Sequence, residues 1–383
     1  MNPPLALYVH MPWCVRKCPY CDFNSHQLKS GTPDRSYIDA LLDDFAREVP
    51  LLGGRAIDTV FFGGGTPSLF APPDIARLLE GLQRQARFAR DAEITLEANP
   101  GTIEHGRFEG YAAAGVNRVS LGAQSFNDAA LQRLGRIHDS ADTYRAVDEL
   151  RAAGLDNFNL DLMFALPGQS AAQALDDVRQ AIALAPAHVS YYQLTLEPGT
   201  VFHSRPPLLP DEDSAWGIQE AGQALLAEAG YAQYEVSAYA RAGAHSRHNL
   251  NYWLFGDYVG IGAGAHGKLT AQASGTITRT VKPKQPRDYL DGLRRTDPAQ
   301  PPGDRQRVAA QELPFEFMLN ALRLNAGFET VLFETRTGLS IGTIAAPLQR
   351  AVARGLLAPF GAGWRATPLG RRFLNDLVAD FLV

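Results

Sequence analysis

The chain is poor in several features that classify proteins quickly. Its 383 residues include three cysteines, four methionines and four tryptophans, and only 20% of residues are charged. Three thiols are too few for a disulfide framework, and an odd count leaves one unpaired, so a reducing cytoplasm is the expected location. No uncharged apolar run approaches the ~20 residues that a membrane helix needs, because Asp, Glu or Arg interrupts every candidate. Attachment to a membrane surface stays open. No basic segment precedes an apolar one at the N-terminus, so no signal peptide is expected. Lysine is scarce as well, with 5 Lys beside 31 Arg, and the 36 basic against 41 acidic residues leave a net charge of −5. That balance supplies no general attraction to nucleic acid or anionic lipid.

What the chain does have is a 45% hydrophobic content arranged periodically. Apolar runs rich in Val, Ile, Phe and Tyr at Leu5–His10, Asp58–Phe62, Glu93–Glu97, Arg118–Leu121, Asn157–Leu162 and His188–Leu194 predict six strands. Segments of helical spacing alternate with them, at Tyr37–Val49, Asp74–Gln85, Phe108–Ala114, Thr143–Ala153 and Ala172–Ala185. Such alternation demands parallel strands with right-handed crossovers, so the fold class is α/β, a partial (β/α)6 barrel. It is expected to occupy residues 1–236. A Gly- and aromatic-rich connecting segment follows at 237–303, in which Gly260–Gly264 reads as a tight loop against the barrel mouth and Thr296–Asp304 as a linker. Residues 304–383 have the element order of a small α-rich, winged-helix-like domain. Between Arg305 and Val383 nine Arg against six acidic residues are thin for a phosphate-binding face, so no nucleic-acid partner is expected.

All three cysteines fall within Cys14-Val-Arg-Lys-Cys18-Pro-Tyr-Cys21, directly after the first predicted strand. Free thiols are only a few per cent ionised at neutral pH, so three this close are useful mainly as thiolates held by a metal. Two metals compete. An iron–sulfur cubane held by three Cys leaves one iron open, whereas a structural Cys3His zinc site would recruit His10 or His26. Position separates them. In parallel α/β barrels, ligand chemistry collects at the C-terminal strand ends, and there stand the cysteines, Gly63-Gly64-Gly65-Thr66-Pro67, Glu97-Ala-Asn99-Pro100, Gly122-Ala-Gln124 and Asp161.

CxxxCxxC, then GGGTP, then a carboxylate ending strand three, resembles the radical S-adenosylmethionine (SAM) superfamily. Tyr8-Val-His10-Met-Pro12, Glu97–Pro100, Gly122–Phe126, Leu134-Gly-Arg136-Ile-His138, Asp161-Leu-Met-Phe and Leu166-Pro-Gly further resemble the oxygen-independent coproporphyrinogen III oxidases and the related HemW-type heme chaperones. The resemblance implies that Cys14, Cys18 and Cys21 hold a [4Fe-4S] cluster whose unique iron takes the amino and carboxylate groups of SAM. A reduced cluster would then release a 5′-deoxyadenosyl radical. It also implies that Gly64, Gly65 and Thr66 contact the methionyl end, that Gln124 and Asp161 meet ribose hydroxyls or the amino group, and that Arg136 pairs with a carboxylate. Tyr20 would pack on an adenosine, and Tyr8 and Glu97 match contacts to a second SAM in relatives, so one or two SAM are expected.

Two departures separate the branches. The oxidases have a fourth cysteine two residues after the third, where this chain has Phe23, and they carry a longer segment before the cluster motif. Phe23 cannot ligate or relay a proton, which argues against porphyrinogen decarboxylation but not against cluster or SAM binding, and a capacity to cleave SAM stays open. The run His245-Ser-Arg-His248-Asn249-Leu-Asn-Tyr252-Trp253 contains the HNxxYW pattern of the chaperones. Imidazole is a common heme ligand, so His248 is the first candidate, with His245 and His266 as alternatives. The expected function is to bind heme and pass it to acceptors such as respiratory enzymes. A coproporphyrinogen oxidase and a zinc-stabilised regulatory protein are the alternatives.

Overall fold

A computed structural model of the chain describes residues 3–29, 35–101, 106–295, 297 and 300–382. The six expected strands form as β1 (Leu5–Met11), β2 (Ile57–Gly64), β3 (Phe88–Ala98), β4 (Arg118–Gln124), β5 (Phe158–Phe164) and β6 (His188–Gln193). They lie side by side in chain order and all run parallel. Most residues of β1, β4 and β5 are buried on both faces, because helices cover the outside and side chains fill the inside. The covering helices are α1 (Ser36–Glu48), α2 (Pro72–Gln85), α3 (Phe108–Ala113), α4 (Asp128–Arg133), α5 (Ser140–Ala152), α6 (Ala171–Ala183) and α7 (Glu212–Glu228). Local sequence sets where two of them start. Asp139 with Asp142, and Ser170 with Gln173, form reciprocal capping boxes at α5 and α6.

The connecting segment departs from expectation. Gly260 does not lie in a loop. It belongs to β7 (Asp257–Ile261), a seventh parallel strand paired with the outer side of β1. Strands β8 (His266–Thr270), β9 (Ile277–Val281) and β10 (Asp304–Arg307) continue the sheet antiparallel beyond it. At the opposite edge Ala238–Ala240 and Ala232–Gln233 also add antiparallel. The result is a twelve-stranded mixed sheet that stays open. The glycines mislead because their role is close approach: a Cβ on Gly260 would stand 2.0 Å from the His266 carbonyl oxygen. The expected linker Thr296–Asp304 lies partly outside the described residues, and Asp304 itself begins β10.

Beyond β10 a second apolar cluster forms around Phe317, Phe333 and Leu377. Helices α9 (Leu313–Ala321), α10 (Thr330–Thr337) and α11 (Ala345–Ala353) pack with a three-stranded sheet of Phe328–Glu329, Leu357–Phe360 and Gly363–Ala366, which is the winged-helix order. No helix of the described residues is long and apolar enough to cross a membrane.

One buried ionic network fastens the added strands to the barrel. The Lys282 ammonium, just past β9, donates to Asp44 at 2.7 Å and to Glu48 at 2.7 Å on α1, with all three side chains sealed from solvent. Tyr289 and the Gly262 amide complete Asp44, and Arg305 on β10 completes Glu48. Burial still pushes the Asp44 carboxyl up, against the pull of Lys282. Removing the cation strands two carboxylates in the interior, a change that typically costs about 3–5 kcal/mol. Lys282→Ala is therefore expected to lower the unfolding free energy by about that amount in denaturant titration, and a loss below about 1 kcal/mol would show that water reaches the network.

Candidate functional site

The cluster loop begins where β1 ends. Trp13–Cys14 pairs with His26–Gln27 in a two-stranded ribbon, so the intervening loop closes on itself with Cys14, Cys18 and Cys21 half-buried along it. Each thiol has a polar group close to it. The Thr66 hydroxyl donates to Cys14 Sγ at 3.5 Å, Arg136 Nη1 to Cys18 Sγ at 3.9 Å, and Ser25 Oγ lies 3.9 Å from Cys21 Sγ. Burial pushes the Cys14 and Cys21 thiols up, so a metal rather than the protein alone must draw their protons off. Among the described residues no three His, Cys, Asp or Glu side chains are grouped to hold a single metal ion. The three sulfurs instead ring one end of a cavity of about 450 Å³. Thiols spaced round an opening with donors behind them fit a multi-iron cluster better than the four converging donors of structural zinc.

The same cavity gathers most of the expected ligand contacts: Tyr20, Gly64–Thr66, Glu97, Gln124, Arg136 and Asp161. The glycine run serves this chain first. A Cβ on Gly65 would come within 2.5 Å of the Trp13 carbonyl, and one on Gly64, at φ +113°, within 2.4 Å of the His10 ring. Gln124 enters the cavity because β4 bulges there and places it at φ 67° in the left-handed region. Tyr192 donates to its side-chain oxygen at 2.8 Å. Among the described residues Arg136 is bonded to no carboxylate of the chain itself. Its Nη2 donates to Asn99 and, at 2.7 Å, to the Gly122 carbonyl. Asn99 also donates to Thr66 at 3.0 Å and so joins the Arg136 and Cys14 sides of the cavity.

Asn99, Ser120, Ser190 and Tyr192 were absent from the sequence-derived set. Alternation along β4 and β6 would have found three of them, since Ser120 shares a face with Gly122 and Gln124, and Ser190 shares one with Tyr192. Asp161 is held by Asn159 at 2.8 Å and Ser120 at 3.1 Å. Burial raises its pKa, and burial first and Asp161 second raise that of Glu97 to about 8. Burial thus opposes negative charge on both acids, and a bound cationic group would favour their ionised forms.

A larger cavity of about 790 Å³ adjoins the first and shares Phe23, Ser25, Gly64 and Glu97 with it. Tyr8 lies here rather than beside the cysteines, with its hydroxyl 3.0 Å from His10 Nδ1. Helix α8, Arg247–Trp253, carries the HNxxYW residues and points Tyr252 and Trp253 into this cavity. The Glu93 carboxylate accepts from the first two amides of α8 at 3.0 Å each.

His248 is placed differently from expectation. It is 1% exposed, with Nδ1 2.8 Å from the Thr59 hydroxyl and Nε2 2.9 Å from the Tyr252 hydroxyl. Burial, then Arg118, lowers its pKa to about 3, so the ring is neutral and both nitrogens are occupied. These two bonds make His248 a pin between α8 and β2. His245 stacks on Tyr234 at 4.3 Å and lines neither cavity. His266 lines the larger one. The C-terminal domain closes that cavity through Asn320, while Arg323 pairs with Glu235 at 2.8 Å and lies 4.3 Å over the Trp253 ring.

The Glu97 carboxyl sets a pH signature in the ligand-free protein. Because its folded pKa of about 8 exceeds the ordinary glutamate value of 4.5, the unfolded chain loses this proton first, and stability falls as pH rises between those values. Glu97→Gln removes the effect. The melting temperature of the variant is expected to gain on the wild type from pH 5 to pH 8 and level off above. A gap constant across that range would mean a fully solvated carboxylate.

Residues 8–181 match the Radical SAM superfamily and residues 308–373 the HemN C-terminal domain. The protein named Heme chaperone HemW of Escherichia coli (strain K12) is 50% identical, with 99% of this chain and 98% of that protein covered. Its namesake in Haemophilus influenzae is 49% identical over 99% of this chain and 98% of the relative. Among solved structures, coproporphyrinogen III oxidase (HemN) from Escherichia coli superposes with a TM-score of 0.83 at 22% identity, covering 99% of this chain and 90% of that one, which carries the fold alone. With half of all residues shared along nearly the whole of both chains, this chain belongs to the radical SAM superfamily and, within it, to the HemW family of heme chaperones.

Proposed function

We propose that the chain binds heme in the larger cavity and passes it to acceptor proteins, respiratory enzymes among them, while a [4Fe-4S] cluster and one SAM occupy the smaller cavity. Membership of the superfamily implies SAM and a [4Fe-4S] cluster. Such a cluster, when reduced, supplies one electron to the SAM sulfonium. Cys14, Cys18 and Cys21 would hold it, with Thr66, Arg136 and Ser25 donating toward their sulfurs. The raised carboxyls of Glu97 and Asp161 favour a ligand that brings an amino group and a sulfonium. Gly64 to Thr66 border the cysteines and would meet its methionyl end, and Gln124 its ribose. Tyr20 would pack on the adenosine, and Arg136, held by Asn99 and the Gly122 carbonyl, would present its guanidinium to the carboxylate.

The observation that carries heme binding is the direction of Tyr252 and Trp253. Both motif aromatics face a cavity of about 790 Å³, large enough for a macrocycle. Tyr8 and Glu97 line that cavity as well, so a second SAM and heme would compete for one space. Phe23 supports transfer over decarboxylation. It is 59% exposed on the wall common to both cavities, where a thiol would be needed for the oxidase chemistry and where an apolar ring instead suits a porphyrin face.

Protein reconstituted without oxygen and given hemin or coproporphyrinogen III in parallel is expected to shift the hemin Soret band and to leave the porphyrinogen propionates intact. Decarboxylated product would favour the oxidase. Cys14→Ala is expected to lose the iron and sulfide of the cluster, and retention of both at wild-type stoichiometry would remove the assignment.

A further inference from the structure

We infer that His266 is the residue through which the chain ligates heme iron, an assignment that rests on the heme reading of the larger cavity. Three histidines line that cavity: His10, His26 and His266. His10 is committed at both nitrogens, 3.0 Å from the Tyr8 hydroxyl and 2.8 Å from the Asn24 carbonyl oxygen. His26 has its Nε2 sealed from solvent inside the ribbon that carries the cluster loop, so no macrocycle reaches that nitrogen. His266 alone of the three is exposed, and its ring has no hydrogen-bond partner among the described residues. Burial, then the nearby Lys284, lowers its pKa, which keeps the imidazole neutral with a lone pair available at physiological pH.

The backbone under His266 is fixed although the ring is free. It opens β8 opposite Val281, and its carbonyl passes so close to Gly260 that no larger residue fits there. A rigid backbone with an uncommitted ring is what a ligand position requires. The surroundings suit the remainder of a heme. Tyr252 and Trp253 offer ring surface for the macrocycle. Lys284 and Lys17 border the same cavity and have no carboxylate partner among the described residues; Lys17 donates only to the Phe23 and Ser25 carbonyls. These two ammonium groups, in a lining whose acids are Asp22 and Glu97, are apt partners for two propionates. By contrast, Lys268 and Arg279 in that wall are already neutralised by Asp257 and Glu316.

The full chain is titrated with hemin and followed by its Soret spectrum, for the wild type and for His266→Ala, His26→Ala and His248→Ala, with melting curves verifying the fold of each. His266→Ala is expected to lose the wild-type spectrum and to bind hemin about tenfold or more weakly, and added imidazole is expected to restore the spectrum. His26→Ala should keep it. An unaltered spectrum and affinity in folded His266→Ala overturns the inference while leaving heme binding in place, as does a folded His26 or His248 variant that alone loses the ligand signature. A wild type that gives no Soret shift overturns the heme reading itself and the inference with it.

Discussion

Everything at the mouth of this sheet depends on how closely the end of β1 lies against the glycine run that ends β2. Strand pairing carries Met11 alongside Gly64, and backbone bonds continue past it from Gly65 to Met11 and from Thr66 to Trp13, at 2.8 and 2.7 Å. Only residues without a Cβ allow this, because Gly64 faces the His10 ring and Gly65 the Trp13 carbonyl. The contact fixes where Cys14 leaves the sheet, brings Thr66 under its sulfur, and sets the wall that divides one cavity from the other. The usual account of such glycines, that they let a ligand approach the backbone, is here secondary to letting the chain approach itself.

On either side of that wall the electrostatics have opposite character. The smaller cavity holds two acids whose ionisation burial opposes, Glu97 and Asp161, beside cysteines that burial also keeps protonated. A cluster would draw the thiol protons off and a cationic ligand would favour the ionised acids, so binding there is coupled to proton loss. The larger cavity has lysines at its rim and aromatic rings on its walls, the arrangement for a flat molecule with carboxylate arms. Glu97 stands between the two and accepts from the Gly64 amide at 3.1 Å. Its charge state is therefore felt on both sides of the wall.

The strands and their order were legible in the sequence because each of the six carries an apolar run of its own length, and the first five a chemically unusual residue at or near the end. The cysteine cluster was legible for the same reason: its information is local. What escaped was set by partners far away in the chain. His248 reads as a ligand from its motif, yet its Nδ1 is claimed by Thr59, 189 positions earlier, on β2. Asn99 has no local signature for its role, which exists only once Thr66 and Arg136 are brought to it. Strand β7 was hidden by its glycines, whose meaning depends on β8 crossing over Gly260. Periodicity reports which face of an element is apolar, and it carries no information on which distant group claims a polar one.

The division of labour within the HNxxYW segment follows from these placements. The histidine and the Glu93-capped amides anchor α8 to the barrel, and Asn251 ties its end to the Asp257 carbonyl at 2.8 Å. The tyrosine and tryptophan then face the cavity as fixed surfaces, with Arg323 of the C-terminal domain stacked behind Trp253. A protein that keeps its heme can bury the ligand among such surfaces. One that hands heme on must surrender the iron–nitrogen bond, and a histidine on the open rim, on a strand that need not move, allows exchange with an incoming ligand without unpacking the core. A ligand placed at His248 would have required breaking the Thr59 and Tyr252 bonds at each transfer, with the cost of leaving buried hydroxyls unpaired.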